Sequence, residues 1–211
     1  MRLLALVPML LMFIGCDNSI IPNPDNAERL DLIAAIYEKG DMDRAVIELE
    51  SYLKTYPNDS LAWVILGNAH STKERVDEAQ LAYETALKIN PQQFQALTGL
   101  GIIHRMRGDY DAAMKAYEQA TEIDGTYAQA YSSMTTIALK RLEDAKALEY
   151  ALKGYNLDKT DPIIAANLAV AYHYNNDIEN RDKFAQIAEQ LGYANMEKLQ
   201  QIFSGEMTVR D

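Results

Sequence analysis

Three histidines, one cysteine and several paired carboxylates are the residues of this chain that could do chemistry. His70 and His104 are separated by one 34-residue step, and His173 lies one residue beyond two further steps. If that step is a stacked helical unit, equivalent imidazoles stand roughly 8–10 Å apart, too far to share a Zn²⁺ that each must approach to about 2 Å. No HExxH or HxxxH places two histidines on one helical face. His70 and His104 are therefore expected to be packing residues. Asp41/Asp43 and Asp109/Asp111 adjoin Gly40 and Gly108, where carboxylates favour helix N-termini, so they are expected to be solvated caps. Gly99-Leu100-Gly101 is half of a dinucleotide fingerprint, but no strand precedes it and His104 holds the third glycine's place. Neither GxSxG nor GxxxxGK[ST] occurs. Cys16 is alone, which excludes an intramolecular disulfide and any CxxC site. Asn58-Asp59-Ser60 fits a glycosylation sequon, while Ser60 also suits a helix N-cap. These residues lead to the expectation of no catalysis, no metal and no cofactor.

The elements that must position these residues are helices. Trp63, Leu66, Gly67 and His70 fall at i, i+3, i+4 and i+7, one face of one helix. Ala79, Tyr83 and Ala86 repeat the pattern on a second helix, which Pro91 is expected to end by disfavouring α conformation at Asn90. Two amphipathic helices cannot bury their faces alone, so the unit should recur, and it does at 34-residue steps. Leu32, Ile36, Ala45, Leu49 and Pro57 hold the register one step back. Forward of it come Leu97, Leu100, Gly101, Ala113 and Tyr117, then Tyr131, Met134, Ala138, Ala147 and Ala151, then Ala165, Leu168, Ala169, Tyr172 and Ala188. Gly40, Gly108 and Asn176 mark the turns between paired helices, since both residue types tolerate the left-handed backbone that ends a helix. Glu74 and Leu142 stand there in the other two units, so those turns must close differently or carry strain.

This pattern resembles the tetratricopeptide repeat (TPR) family from Asn26 to about Tyr193. Thr135 in the fourth unit and Arg181 in the fifth depart from the family's small residues. The resemblance implies an all-α, right-handed α-solenoid of about five helix-turn-helix units over residues 26–192, with units starting near 26, 60, 94, 128 and 162. Residues 193–211 would form a capping helix, on the stripe Met196, Leu199, Ile202 and Phe203 with Asn195 as its cap, and then a frayed tail from Gly205. It also implies a concave groove lined by the first helix of each pair. The residues expected to meet a partner there are Tyr37, Asn68, Ile102, Arg105, Met106, Leu139, Lys140, His173 and Tyr174. Co-chaperones of this family grip acidic chaperone tails with groove Lys, Arg and Asn. Here Asn68 is matched but Val64, Gly99 and Gln95 replace the basic ligands, so that role is not implied.

Residues 1–15 read as a targeting segment, with Arg2 followed by the uncharged run Leu3–Ile14. Twelve residues are too few for a transmembrane helix, which needs about 20. Phe13-Ile14-Gly15-Cys16 resembles the lipobox of bacterial lipoproteins, with Phe13 where Leu is usual. That resemblance implies cleavage before Cys16, diacylglycerol on its sulfur and an acylated amino terminus, enough chains for stable anchoring. Residues 16–25 would be a lipidated tether, its prolines and lack of periodicity keeping the fold close to the lipid; Asp25 or Asn26 would cap the first helix.

The 211 residues are 48% hydrophobic with a formal charge of −11. Such an acidic chain is repelled by nucleic acid and by anionic lipid, apart from a lipid anchor of its own. The expected function is a membrane-anchored, periplasm-facing protein–protein scaffold or assembly factor in the bacterial cell envelope, at the inner or outer membrane. The alternatives are a soluble periplasmic carrier released by ordinary signal cleavage and, remotely, an enzyme subunit.

Overall fold

The computed structural model describes residues 24–210, with side chains from residue 27 onward. The expected targeting segment, Cys16 and most of the expected tether lie outside the described residues. Among the described residues there are eleven α-helices and no strand: α1 (Pro24–Glu38), α2 (Met42–Thr55), α3 (Ser60–Thr72), α4 (Val76–Ile89), α5 (Phe94–Met106), α6 (Tyr110–Ile123), α7 (Ala128–Lys140), α8 (Asp144–Leu157), α9 (Pro162–Tyr174), α10 (Ile178–Gln190) and α11 (Met196–Ser204). They pack as five consecutive antiparallel-type pairs followed by α11, and each pair packs on the next. Helices α3, α5, α7, α9 and α11 begin at 60, 94, 128, 162 and 196, so α11 is a shortened first helix of a sixth unit.

Close approach of the paired helices depends on small residues. Ala45, Ala79, Ala113 and Ala147 hold one repeat position and each is 0% exposed. In the fifth unit Arg181 takes that place, and its guanidinium lies 5.0 Å from the centroid of the Phe203 ring on α11. The cation is thus accommodated by the capping helix, whose Leu199 and Ile202 are buried. Asn195 sits at the N-cap of α11 without a side-chain cap bond.

The turns answer the question left by Glu74 and Leu142. Gly40, Gly108 and Asn176 have φ of 83°, 80° and 61°, and Glu74 and Leu142 have φ of 58° and 61°. All five turns close through the left-handed region, so Glu74 and Leu142 carry the strain that a Cβ meets there. α4 ends at Ile89, and Asn90 before Pro91 is extended, with φ −132° and ψ 98°. Two expectations require correction. Asp59, not Ser60, caps α3, accepting from Leu61 N and Ala62 N at 3.1 Å each. Helix α1 starts at Pro24, which puts Asp25 and Asn26 inside it rather than at its cap.

The carboxylate pairs divide their work. Asp41 and Asp109 cap α2 and α6 through Arg44 N and Ala112 N. Their partners Asp43 and Asp111 instead pair with Lys73 and Arg141 of the following unit, and Asp77 pairs with Arg107 at 2.7 Å. Each pair joins the end of a first helix to the start of the second helix one unit earlier, which makes a ladder along one edge of the solenoid.

Candidate partner-binding groove

Most first helices of neighbouring units touch one another, α1 with α3, α3 with α5, α7 with α9 and α9 with α11, with α5 and α7 the looser step, while second helices of neighbouring units have no comparable packing. In a curved array the crowded row is the inner one, so the first helices line the concave face. Their outward positions decide what a partner would meet.

At the N-terminal end, Ala27 and Leu30 of α1, Tyr52 of α2, Tyr56 and Pro57 just after it, and Leu61 of α3 surround a concavity of about 560 Å³. The hydroxyl of Tyr52 donates to Asp59 Oδ2 at 2.7 Å, and burial first, with that carboxylate second, pushes its ionisation well above the usual tyrosine range. The apolar wall and fixed carboxylate suit a side chain with an apolar stem. Sequence reasoning missed this concavity, because part of it comes from the α2–α3 connection, which has no periodicity to place it.

Along the middle of the groove the expected residues differ in accessibility. Tyr37 is half-buried against the first core cluster. Asn68 accepts a hydrogen bond from the Tyr83 hydroxyl at 2.8 Å, so its carbonyl is committed within the unit. Ile102 and Arg105 are half-buried, and Met106 is 47% exposed. Arg105 lies beside the Tyr117 hydroxyl and, with Ser133, partly opposes the rise in ionisation that burial imposes on that phenol. Lys140 is half-buried with its ammonium 5.9 Å from the centroid of the Tyr110 ring. Arg105 and Lys140 bring positive charge to a groove in a chain of charge −11.

Leu139 is a correction. It is 2% exposed within the core cluster that includes Ala166 and Val170, and therefore supports neighbouring helices instead of facing a partner. Its counterpart one unit earlier, Arg105, is half-buried, as is Ile102 at the position equivalent to Val170, which is 5% exposed. The C-terminal tail accounts for part of this difference. It is not frayed: Gly205 turns the chain at φ 80°, and Val209 packs against the same cluster. Tyr174 meets the tail through its hydroxyl, which lies 3.2 Å from Thr208 Oγ1 and accepts from Val209 N at 3.4 Å. His173 packs its ring 5.0 Å from Tyr174 and 5.3 Å from Phe203. Burial, reinforced by Arg181 and Arg210, holds the His173 imidazole below its ordinary value.

His70 is buried and held below its ordinary value, chiefly by that burial, and His104 is half-buried. Among the described residues no three His, Cys, Asp or Glu side chains gather as a metal site. Nor is any described helix long and apolar enough to cross a membrane.

With this geometry in hand, residues 30–59 and 64–128 match family models described as tetratricopeptide repeat. These stretches are TPR repeats. The fold agrees with solved TPR structures. The chain superposes on pilF of Pseudomonas aeruginosa with a TM-score of 0.71 at 18% identity, covering 86% of this chain and 85% of that one. A thermophilic TPR protein of Thermus thermophilus gives a TM-score of 0.70 at 18% identity, covering 85% and 97%. YrrB, a TPR protein with an unusual peptide-binding site, gives 0.58 at 17% identity, covering 85% and 91%. No curated protein sequence matches the chain. No catalytic family is indicated, and TPR folds are typically interaction scaffolds.

Proposed function

We propose that this TPR protein is a membrane-anchored, non-catalytic interaction scaffold or assembly factor of the bacterial cell envelope. Lipid on Cys16 holds the solenoid at the membrane, facing the periplasm, and the groove engages a protein or peptide segment there. The observation that carries the binding role is the half-buried lining of Tyr37, Ile102 and Arg105, with exposed Met106 next to Arg105, on the inner face of a helical array. Aromatic, Met and Arg side chains are the types that anchor interfaces. The peptide-binding site of YrrB shows that a TPR array of similar fold can hold a peptide. Anchoring at a surface raises the effective concentration of a partner confined to the same surface.

Two experiments separate anchor from groove. Radioactive palmitate should label the wild type and not Cys16→Ala; an unlabelled wild type would leave a soluble carrier. Crosslinking capture in the native host should retrieve a partner with wild type and lose most of it with Arg105→Glu/Met106→Ala. Undiminished capture by that variant would move the partner off the groove.

A further inference from the structure

The ion-pair ladder along the solenoid edge stops after three rungs and is completed by a residue from the far end of the chain. A fourth rung would set residue 175 against residue 145, but these are Asn175 and Ala145. The Asn175 amide donates instead to the backbone oxygens of Asp144 at 2.9 Å and Ala171 at 2.8 Å. The Asp144 carboxylate is taken by the guanidinium of Arg210, 66 residues away. That guanidinium also lies 3.8 Å from the centroid of the Tyr174 ring. Tyr174 in turn uses its hydroxyl to hold Thr208 Oγ1 and Val209 N.

A carboxylate facing the charge, an aromatic face beneath it and a phenol contacting the adjoining backbone are the parts of an arginine-recognition site. We propose that Asp144 and Tyr174 form a binding site for an arginine-bearing, extended peptide, and that residues 206–210 occupy it as a built-in ligand. This inference rests on the groove reading above and gives it a ligand chemistry. The tail approaches as a peptide would, with its main chain contacting Tyr174 and Val209 against the apolar wall that includes Leu139 and Val170. Its fit is incomplete, because Arg210 Nε is buried and finds no acceptor. A partner arginine with an acceptor placed for that nitrogen would satisfy the site better and displace the tail. Lysine would not substitute, since an ammonium lacks the planar fork that both stacks and pairs.

The test uses a fluorescent synthetic peptide of residues 206–211, Glu-Met-Thr-Val-Arg-Asp, added to the full chain. Arg210→Glu, which sets a carboxylate against Asp144, releases the tail. The released variant should bind the probe at least about tenfold more tightly than wild type, whose tethered tail competes at high effective concentration. Adding Asp144→Asn, or replacing the probe's arginine with lysine, should each weaken that binding about tenfold or more. In wild type, the Arg210 Hδ protons should be ring-shifted upfield in NMR spectra and lose that shift in Tyr174→Leu. A folded Arg210→Glu chain that binds the probe no better than wild type, or an Arg210 spectrum indifferent to Tyr174→Leu, would overturn the site. If Arg105-dependent capture persisted alongside that result, the groove reading would stand and only this inference would fall.

Discussion

The ring of Tyr83 fills the space that a β-carbon on Gly99 would need. A Cβ built there would come within 2.4 Å of the ring, and one on Gly67, on the other side, within 2.6 Å. Tyr83 is 1% exposed, so the ring has nowhere to retreat. A glycine of its own unit and a glycine of the next therefore hold one aromatic side chain at the seam between repeats.

Gly99→Ala should destabilise the chain by about 2–3 kcal/mol, the upper part of the usual cost of overpacking a filled core. Urea unfolding with an unchanged m-value is the check. Gly125→Ala serves as control, since its nearest neighbour is Thr121 O at 3.5 Å, and should be close to neutral. The double variant Gly99→Ala/Tyr83→Ala should show coupling of about 1–2 kcal/mol in favour of the pair. Units four and five already use a small partner: Thr135 and Ala169 hold the position of Gly67, and Ala151 and Ala185 that of Tyr83.

Leu142 is 63% exposed with φ 61°, so its side chain gains little from packing while its backbone is strained. Leu142→Gly should stabilise the chain by about 0.5–1 kcal/mol, the relief of a left-handed residue less the extra freedom glycine has when unfolded. Glu74→Gly should do the same, whereas Gly108→Ala should cost about 1 kcal/mol. Thermal unfolding of the three variants would give opposite signs for the first two and the last.

This turn chemistry marks where the sequence is readable and where it is not. The 34-residue step, the alanine seam and the helix end before Pro91 follow from residue type alone, because close packing and proline sterics act locally. The left-handed turns at Glu74 and Leu142 do not, because neighbouring units impose that conformation on residues that would not choose it. The cap at Asp59 was hidden by Ser60 beside it, an equally competent residue type. Asp43 and Lys73, Asp77 and Arg107, Asp111 and Arg141 stand in the sequence as opposite charges 30 residues apart, but only the stacking of one unit on the next brings them into contact. Of the residues that the family resemblance implies for the groove, Met106 is exposed but Leu139 is buried. The cluster it belongs to is packed by Val209 from a tail without periodicity, and nothing in the order of residues 205–210 predicts that this tail docks.

Acidification should weaken the fold through two imidazoles. His70 and His173 both bind protons less readily when folded than at the ordinary value of 6.5, because burial disfavours the charged ring. The unfolded chain therefore takes up more protons, and stability falls as pH drops from above 6.5 towards the lower folded values. Tm should decline between about pH 7.5 and about pH 5, and His70→Phe/His173→Phe should flatten that decline. An equally steep decline in the double variant would assign it to carboxylates instead.

Tyr83 and Tyr117 hold the same repeat position and are both buried, yet only one hydroxyl has an acceptor. Tyr83 donates to Asn68 Oδ1, whereas Ile102 takes the place of Asn68 in the next unit and leaves the Tyr117 hydroxyl without a hydrogen bond. Arg105 and Ser133 are near enough to ease its ionisation but do not meet hydrogen-bond geometry. Removing a satisfied hydroxyl and removing an orphaned one should differ. Tyr83→Phe should cost about 1 kcal/mol, since it also strips Asn68 of its donor, while Tyr117→Phe should be neutral or stabilising by up to about 1 kcal/mol. Denaturant midpoints compared at constant m-value would read the difference directly. The result also bears on the groove. If Tyr117→Phe proved as costly as Tyr83→Phe, the phenol would have to be bonded to Arg105 in solution, and that guanidinium would be less free to meet a partner.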